Sequence, residues 1–188
     1  MFANMFAKFF AKIDLYVLTI IVLLGVTATA IPTFGFMQTI PQLFVAVLTA
    51  VALDAFVWWR KYKKFYFSKT AFISGLFIGG LLETSQILYV PATAAVVAIL
   101  SKYLFNVRKH HVFNPTIFSL TIVASLFPTS ISWWAALSLP IILSTGTVLH
   151  LKFWRWDLIF TFLATYFVIF FVQNNLDFAI LQAQMLNP

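Results

Sequence analysis

All twelve lysine and arginine residues of this chain lie in segments that one membrane topology places on a single side of a bilayer. They fall at Lys8 and Lys12, at Arg60, Lys61, Lys63, Lys64 and Lys69, at Lys102, Arg108 and Lys109, and at Lys152 and Arg155. Between these clusters run apolar stretches, either one long stretch or two joined by a short uncharged turn. Moving Lys or Arg across a membrane during insertion is costly, so cationic loops stay cytoplasmic and the pattern sets both the spans and their direction. The net charge of +7 is therefore an orientation signal. Nucleic acid is excluded as a partner, because no segment is long and polar enough to gather that charge on a soluble face.

A chain with 62% hydrophobic and 9% charged residues has too few polar groups to cover a water-exposed globule. Trp58 and Trp59, Trp133 and Trp134, and Trp154 and Trp156 gather at segment ends, where indole rings favour the headgroup level. The absence of cysteine removes disulfides, iron–sulfur ligation and thiol chemistry. The expectation is an all-α polytopic membrane protein, a single transmembrane domain over residues 1–188, with the lipid bilayer as its surroundings.

The expected path has about seven segments. A first helix from Ile13 to Ile31, read as a transmembrane helix rather than a cleaved leader, ends at Pro32. An uncharged outer turn covers Pro32 to Pro41. Gln42–Trp59 returns to the basic stretch 60–69. Thr70–Leu82 and Ile87–Tyr103 leave and come back around Glu83-Thr84-Ser85-Gln86. Thr116–Phe127 goes out, Trp133–His150 comes in, and Asp157–Val172 leaves Asn174–Pro188 outside. The N-terminus is then cytoplasmic and the C-terminus external, as in a prokaryotic inner membrane.

Two segments are too short to span. Thr70–Leu82 and Thr116–Phe127 hold about 13 and 12 residues, some 20 Å of helix at 1.5 Å per residue, whereas a span needs roughly 20 residues. Short elements survive at membrane depth where protein surrounds them or where they line a polar cavity. Paired broken helices are a sequence pointer to a binding site in transporter-like folds; two ordinary tilted helices with misjudged ends are the alternative. Gly75 and Gly79 form a small-xxx-small pattern suited to close helix approach, expected to meet the following helix with its small face of Ala92, Ala95, Ala98 or Ser101, or else a second copy of the chain.

Intramembrane carboxylates usually face the bundle interior and mark ion or substrate paths. The ion-path candidates are therefore Glu83, with Gln86 beside it, and Asp54; Glu83 is the stronger. Asp54 could instead pair with Arg60 or Lys61, and Glu83 could be an outer-turn residue. Asp14 and Asp157 read as helix N-terminal caps. Lys102, Arg108, Lys109 and His110, with Asn114 capping a helix that opens at Pro115, could grip a phosphate or simply meet anionic headgroups. Adjacent histidines without a further ligand make a metal site unexpected, and no catalytic constellation is visible.

The run TAFISGLFIGGLLETSQ followed by SKYLFNVRKHHVFNPTIFSL resembles the NqrB/RnfD-type family: the D subunit of Rnf electron transport complexes and the B subunit of the sodium-translocating NADH:quinone reductase. The family motif reads approximately K-x-L-F-x-x-x-x-K-H-x-F-N-P, matched by Lys102, Leu104, Phe105, Lys109, His110, Phe113, Asn114 and Pro115, with His111 as an extra residue. The resemblance implies inverted repeats with half-helices, as in urea and ammonium channels, and this chain looks like a half-size, single-repeat version. A complete core would then need a second copy, as a homo-oligomer, or other membrane subunits. The family's covalent flavin sits on a Ser-Gly-Ala-Thr-type motif that Ser144-Thr145-Gly146-Thr147 does not reproduce, so electron transfer would rest on a non-covalent cofactor such as flavin. A membrane redox subunit is the leading expectation; a homo-oligomeric small-solute channel, or an assembly subunit, is the alternative.

Overall fold

The computed structural model describes residues 13–84, 87–107, 110–134, 139–153 and 156–186, and within them the regular structure is helical apart from one two-residue antiparallel ladder and one isolated bridge. The helices are α1 (Leu15–Phe34), α2 (Phe36–Tyr62), α3 (Lys69–Leu81), α4 (Tyr89–Leu104), α5 (Pro115–Leu126), α6 (Leu139–Phe153) and α7 (Trp156–Leu186). The ladder joins β1 (Asn106–Val107) to β2 (His110–His111), pairing Asn106 with His111 and Val107 with His110. Contacts divide the chain into Met1–Leu149 and His150–Pro188. By length and composition α1 and α2 are able to cross a membrane.

The first turn is much tighter than the expected Pro32–Pro41 loop. Pro32 and Pro41 both lie inside helices, and the only break between α1 and α2 is Gly35, with φ at 89°. That left-handed backbone requires glycine. A proline stops a helix where water rewards the broken pattern, whereas in an apolar run the helix re-forms around it. Asp14 caps α1 as expected, its carboxylate accepting from the Tyr16 N–H at 2.8 Å. At the other end of the chain, α7 runs for 31 residues to Leu186, beyond the expected end at Val172.

The core of the first unit is built from small side chains. Ala46 and Ala50 of α2, Ala71 of α3, and Ala94, Ala95 and Ala98 of α4 are buried with Ile78, Ile99, Leu120 and Val123. Small faces allow close backbone approach, and α3 uses it against α2. A Cβ on Gly75 would stand 2.5 Å from the Val47 Cα, and one on Gly79 would stand 3.0 Å from the Leu43 Cα. The glycines thus meet α2, not α4 as expected, while Ala95 and Ala98 of the small face of α4 are buried in the same core.

Both short helices are present, α3 with 13 residues and α5 with 12. Ser68 caps α3 by accepting from the Ala71 N–H, and Asn114 caps α5 by accepting from Thr116 and Ile117, with Pro115 in the first turn. Their exits meet. Leu82 bridges Ile131 in antiparallel fashion, the Ser132 N–H donates to the Leu81 carbonyl at 2.9 Å, and the Glu83 N–H donates to the Ser130 carbonyl at 3.3 Å.

Candidate functional site

Four helix ends converge on one polar cavity of about 780 Å³. It takes Asp14 and Tyr16 from the start of α1, Asp54, Trp58, Lys61 and Tyr62 from the end of α2, Lys69 and Thr70 from the start of α3, and Lys102 and Tyr103 from the end of α4. Basic clusters separated by apolar helices in the chain therefore share one end of the unit. At the opposite end Trp134 stands edge-on to Phe34, with ring centres 5.6 Å apart, and donates to the Gly79 carbonyl at 3.0 Å.

The floor of the cavity is an acid. The Asp54 side chain is 2% exposed, and its Oδ1 accepts from the Lys102 ammonium at 2.9 Å and from the Tyr103 hydroxyl at 2.9 Å. Lys102 also donates to the Thr70 hydroxyl at 3.3 Å, and Thr70 lies 3.0 Å from the Ser68 hydroxyl. The partner is thus Lys102, distant in sequence, and not Arg60 or Lys61 on the adjacent turn. A buried carboxylate demands a charge partner and hydrogen bonds, and α4 supplies both through Lys102 and Tyr103. Lys102, at 20% side-chain exposure, faces the cavity and links the buried acid to solvent. At the mouth, Lys69 donates to Asp14 at 2.8 Å and, with the Tyr16 N–H, holds that carboxyl below its ordinary range. Chemically, the centre is a buried carboxylate held by an ammonium that borders the cavity and by a phenol hydroxyl.

The other end of α3 is closed. Gln42, fully buried on α2, donates through Nε2 to the Gly79 and Leu82 carbonyls at 2.8 and 2.9 Å, and the Trp134 indole adds a third donor. A half-helix C-terminus attracts cations through its exposed carbonyls; here N–H groups occupy them. Glu83 sits beside this plug, partly buried, and accepts from the Ser130 hydroxyl at 2.9 Å. Of the two carboxylates named from sequence, Asp54 is the more buried.

Three residues of the expected phosphate grip are described, Lys102, His110 and Asn114. Lys102 serves Asp54, and the Asn114 oxygen serves its own helix. His110 contributes backbone to the ladder. Arg108, Lys109 and Gln86 lie outside the described residues. In α6 the hydroxyls of Ser144, Thr145 and Thr147 donate back to carbonyls of that helix. Among the described residues no cluster of three His, Asp or Glu could hold a metal ion. Tyr103, Thr70 and Gln42 were missed from sequence; each stands at the edge of an apolar run, where a polar residue reads as a segment boundary.

The sequence matches the NQR2, RnfD, RnfE family over residues 11–138. The chain belongs to this family. That match includes α1 to α5 and every described residue of the cavity, and stops before α6. Among curated proteins no match is found. The family is one of membrane-associated Rnf and Nqr electron-transport subunits, which agrees with the resemblance carried by Lys102 to Pro115.

Proposed function

We propose that this chain is an integral membrane subunit of a redox-driven, ion-translocating complex of the Rnf and Nqr kind, and that Asp54 with Lys102 and Tyr103 is the charge centre of its ion path. The observation that carries the reading is the Asp54 carboxylate, buried among apolar helices of a family-matched fold and tied through Lys102 to a polar cavity. Intramembrane acids persist where a charge partner or a passing proton or cation offsets their desolvation. The residues 11–138 common to the family suit a half-size core that works with other membrane subunits or a second copy.

Affinity purification of the tagged full chain from its native membranes, in mild detergent, tests this. The reading expects further membrane subunits and a redox chromophore, with flavin absorbance as its first candidate. A chain that emerges alone and colourless would contradict it. The polar cavity favours one second reading, a small-solute channel built from several copies; solute flux through liposomes holding the chain alone would support that reading instead.

A further inference from the structure

A second cavity lies end to end with the polar one. This groove, about 600 Å³, runs between α1, α2 and α3 and is walled by apolar side chains such as Leu24, Ala28, Phe44 and Leu76. The linings of the two follow one another along one face of α2. Phe44, Val47 and Val51 line the groove, and Asp54, Trp58 and Lys61 line the polar cavity, at steps of three and four residues that keep them on one side of the helix. The connection before α3 repeats the change, with Phe67 in the groove and the next residues, Ser68 and Lys69, in the cavity. From Ile40 to Val51 the groove follows about 16 Å of helix at 1.5 Å per residue, close to half of the roughly 30 Å hydrocarbon thickness of a bilayer.

The charges select the headgroup. The cavity holds three ammonium groups, Lys61, Lys69 and Lys102, against two carboxylates, Asp14 and Asp54. Lys69 and Lys102 are matched by those acids. Lys61 is the surplus cation, resting 5.2 Å from the centre of the Tyr62 ring. We propose that groove and cavity form one site for an anionic phospholipid from the leaflet at the basic end, its acyl chain between α1 and α2 and its phosphodiester beside Lys61. Basic pockets between transmembrane helices suit such headgroups. A zwitterionic headgroup would add an ammonium to the surplus cation, and a neutral quinone would fill the groove while leaving Lys61 without a counter-charge.

The test is lipid retention by the full chain. The protein is reconstituted in nanodiscs with equal phosphatidylglycerol and phosphatidylcholine, released into mild detergent, and its bound lipid read by native mass spectrometry. Preferential retention of phosphatidylglycerol is expected. Lys61→Gln should lower that retention about fivefold, the weight of one juxtamembrane cation, and Ala28→Phe, which fills the groove, should lower it for both lipids. Equal retention of the two lipids by the wild type, unchanged retention in Lys61→Gln, or displacement of phosphatidylglycerol by a neutral quinone would each overturn the proposal. Should Ala28→Phe fail to fold, the wild-type preference and Lys61→Gln decide it. Recovery of the chain from the soluble fraction would instead count against the membrane reading itself.

Discussion

Asp54 and Lys102 depend on one another unequally. The acid is buried and the ammonium borders a cavity, so removing either partner leaves a different remainder. Lys102→Met strands a carboxylate with one phenol donor, and an uncompensated buried charge is strongly destabilising. Asp54→Asn leaves an ammonium that can turn to water. The structure therefore expects thermal unfolding in detergent to fall further in Lys102→Met than in Asp54→Asn, with the double substitution recovering part of the loss; equal losses would place the pair in solvent. The outer pair behaves differently with pH. The Asp14 carboxyl is lowered below its ordinary value of 3.8 in the folded chain by Lys69 and the Tyr16 N–H. Its contribution is thus complete above the carboxylate range and is lost as pH falls through the folded value. Melting temperatures of wild type and Asp14→Asn should differ at neutral pH and converge in acid, and a constant gap would contradict the pairing. Asp14 as a cap was legible because a carboxylate before an apolar run has few other uses. The partner of Asp54 was not, since nothing in a linear pattern joins positions 54 and 102.

At the scale of elements, the two short helices are held by different devices at their two ends. Their starts are capped by Ser68 and Asn114, and the exit of α3 is closed by Gln42, Trp134 and the segment that follows α5. Asn114→Leu should cost about 1 kcal/mol through loss of the N-cap, measured by chemical or thermal unfolding; unchanged stability would mean that α5 starts elsewhere. Gly75→Ala should cost roughly 1–3 kcal/mol, because its methyl would meet the α2 backbone at Val47 and overpacking forces shifts of that order. Gly25→Ala, with no atom within 4 Å of its methyl, serves as the neutral or stabilising control. Asn-Pro opening an apolar run made the start of α5 readable to the residue. The glycine spacing announced close packing without naming the partner, since it marks one surface and the opposing one, Ala46 and Val47, has no special composition. The Gly35 break stayed hidden behind two prolines that look like stronger stops.

For the molecule as a whole, alternation of basic and apolar segments reads as alternating helix direction, and the first unit agrees with it. Asp14, Lys61, Lys69 and Lys102 share one cavity, while Phe34, Gly79 and Trp134 meet at the far end. That arrangement was legible because charge placement obeys a rule of insertion, whereas the lateral packing that forms the Asp54 centre obeys none that a single sequence displays. With the basic end cytoplasmic, the account expects a C-terminal reporter active only in the cytoplasm to stay dark, and a bright signal would remove one crossing. In the proposed reading the buried acid carries ion movement coupled to electron transfer. Its most direct measurement is the membrane potential generated by electron transfer in inverted native-membrane vesicles, comparing wild type with Asp54→Asn at equal amounts of assembled complex. The potential should fall to background while the chain remains in the membrane with its partner subunits. A full potential in Asp54→Asn would contradict it and leave the Asp54–Lys102–Tyr103 centre a structural tie between helices.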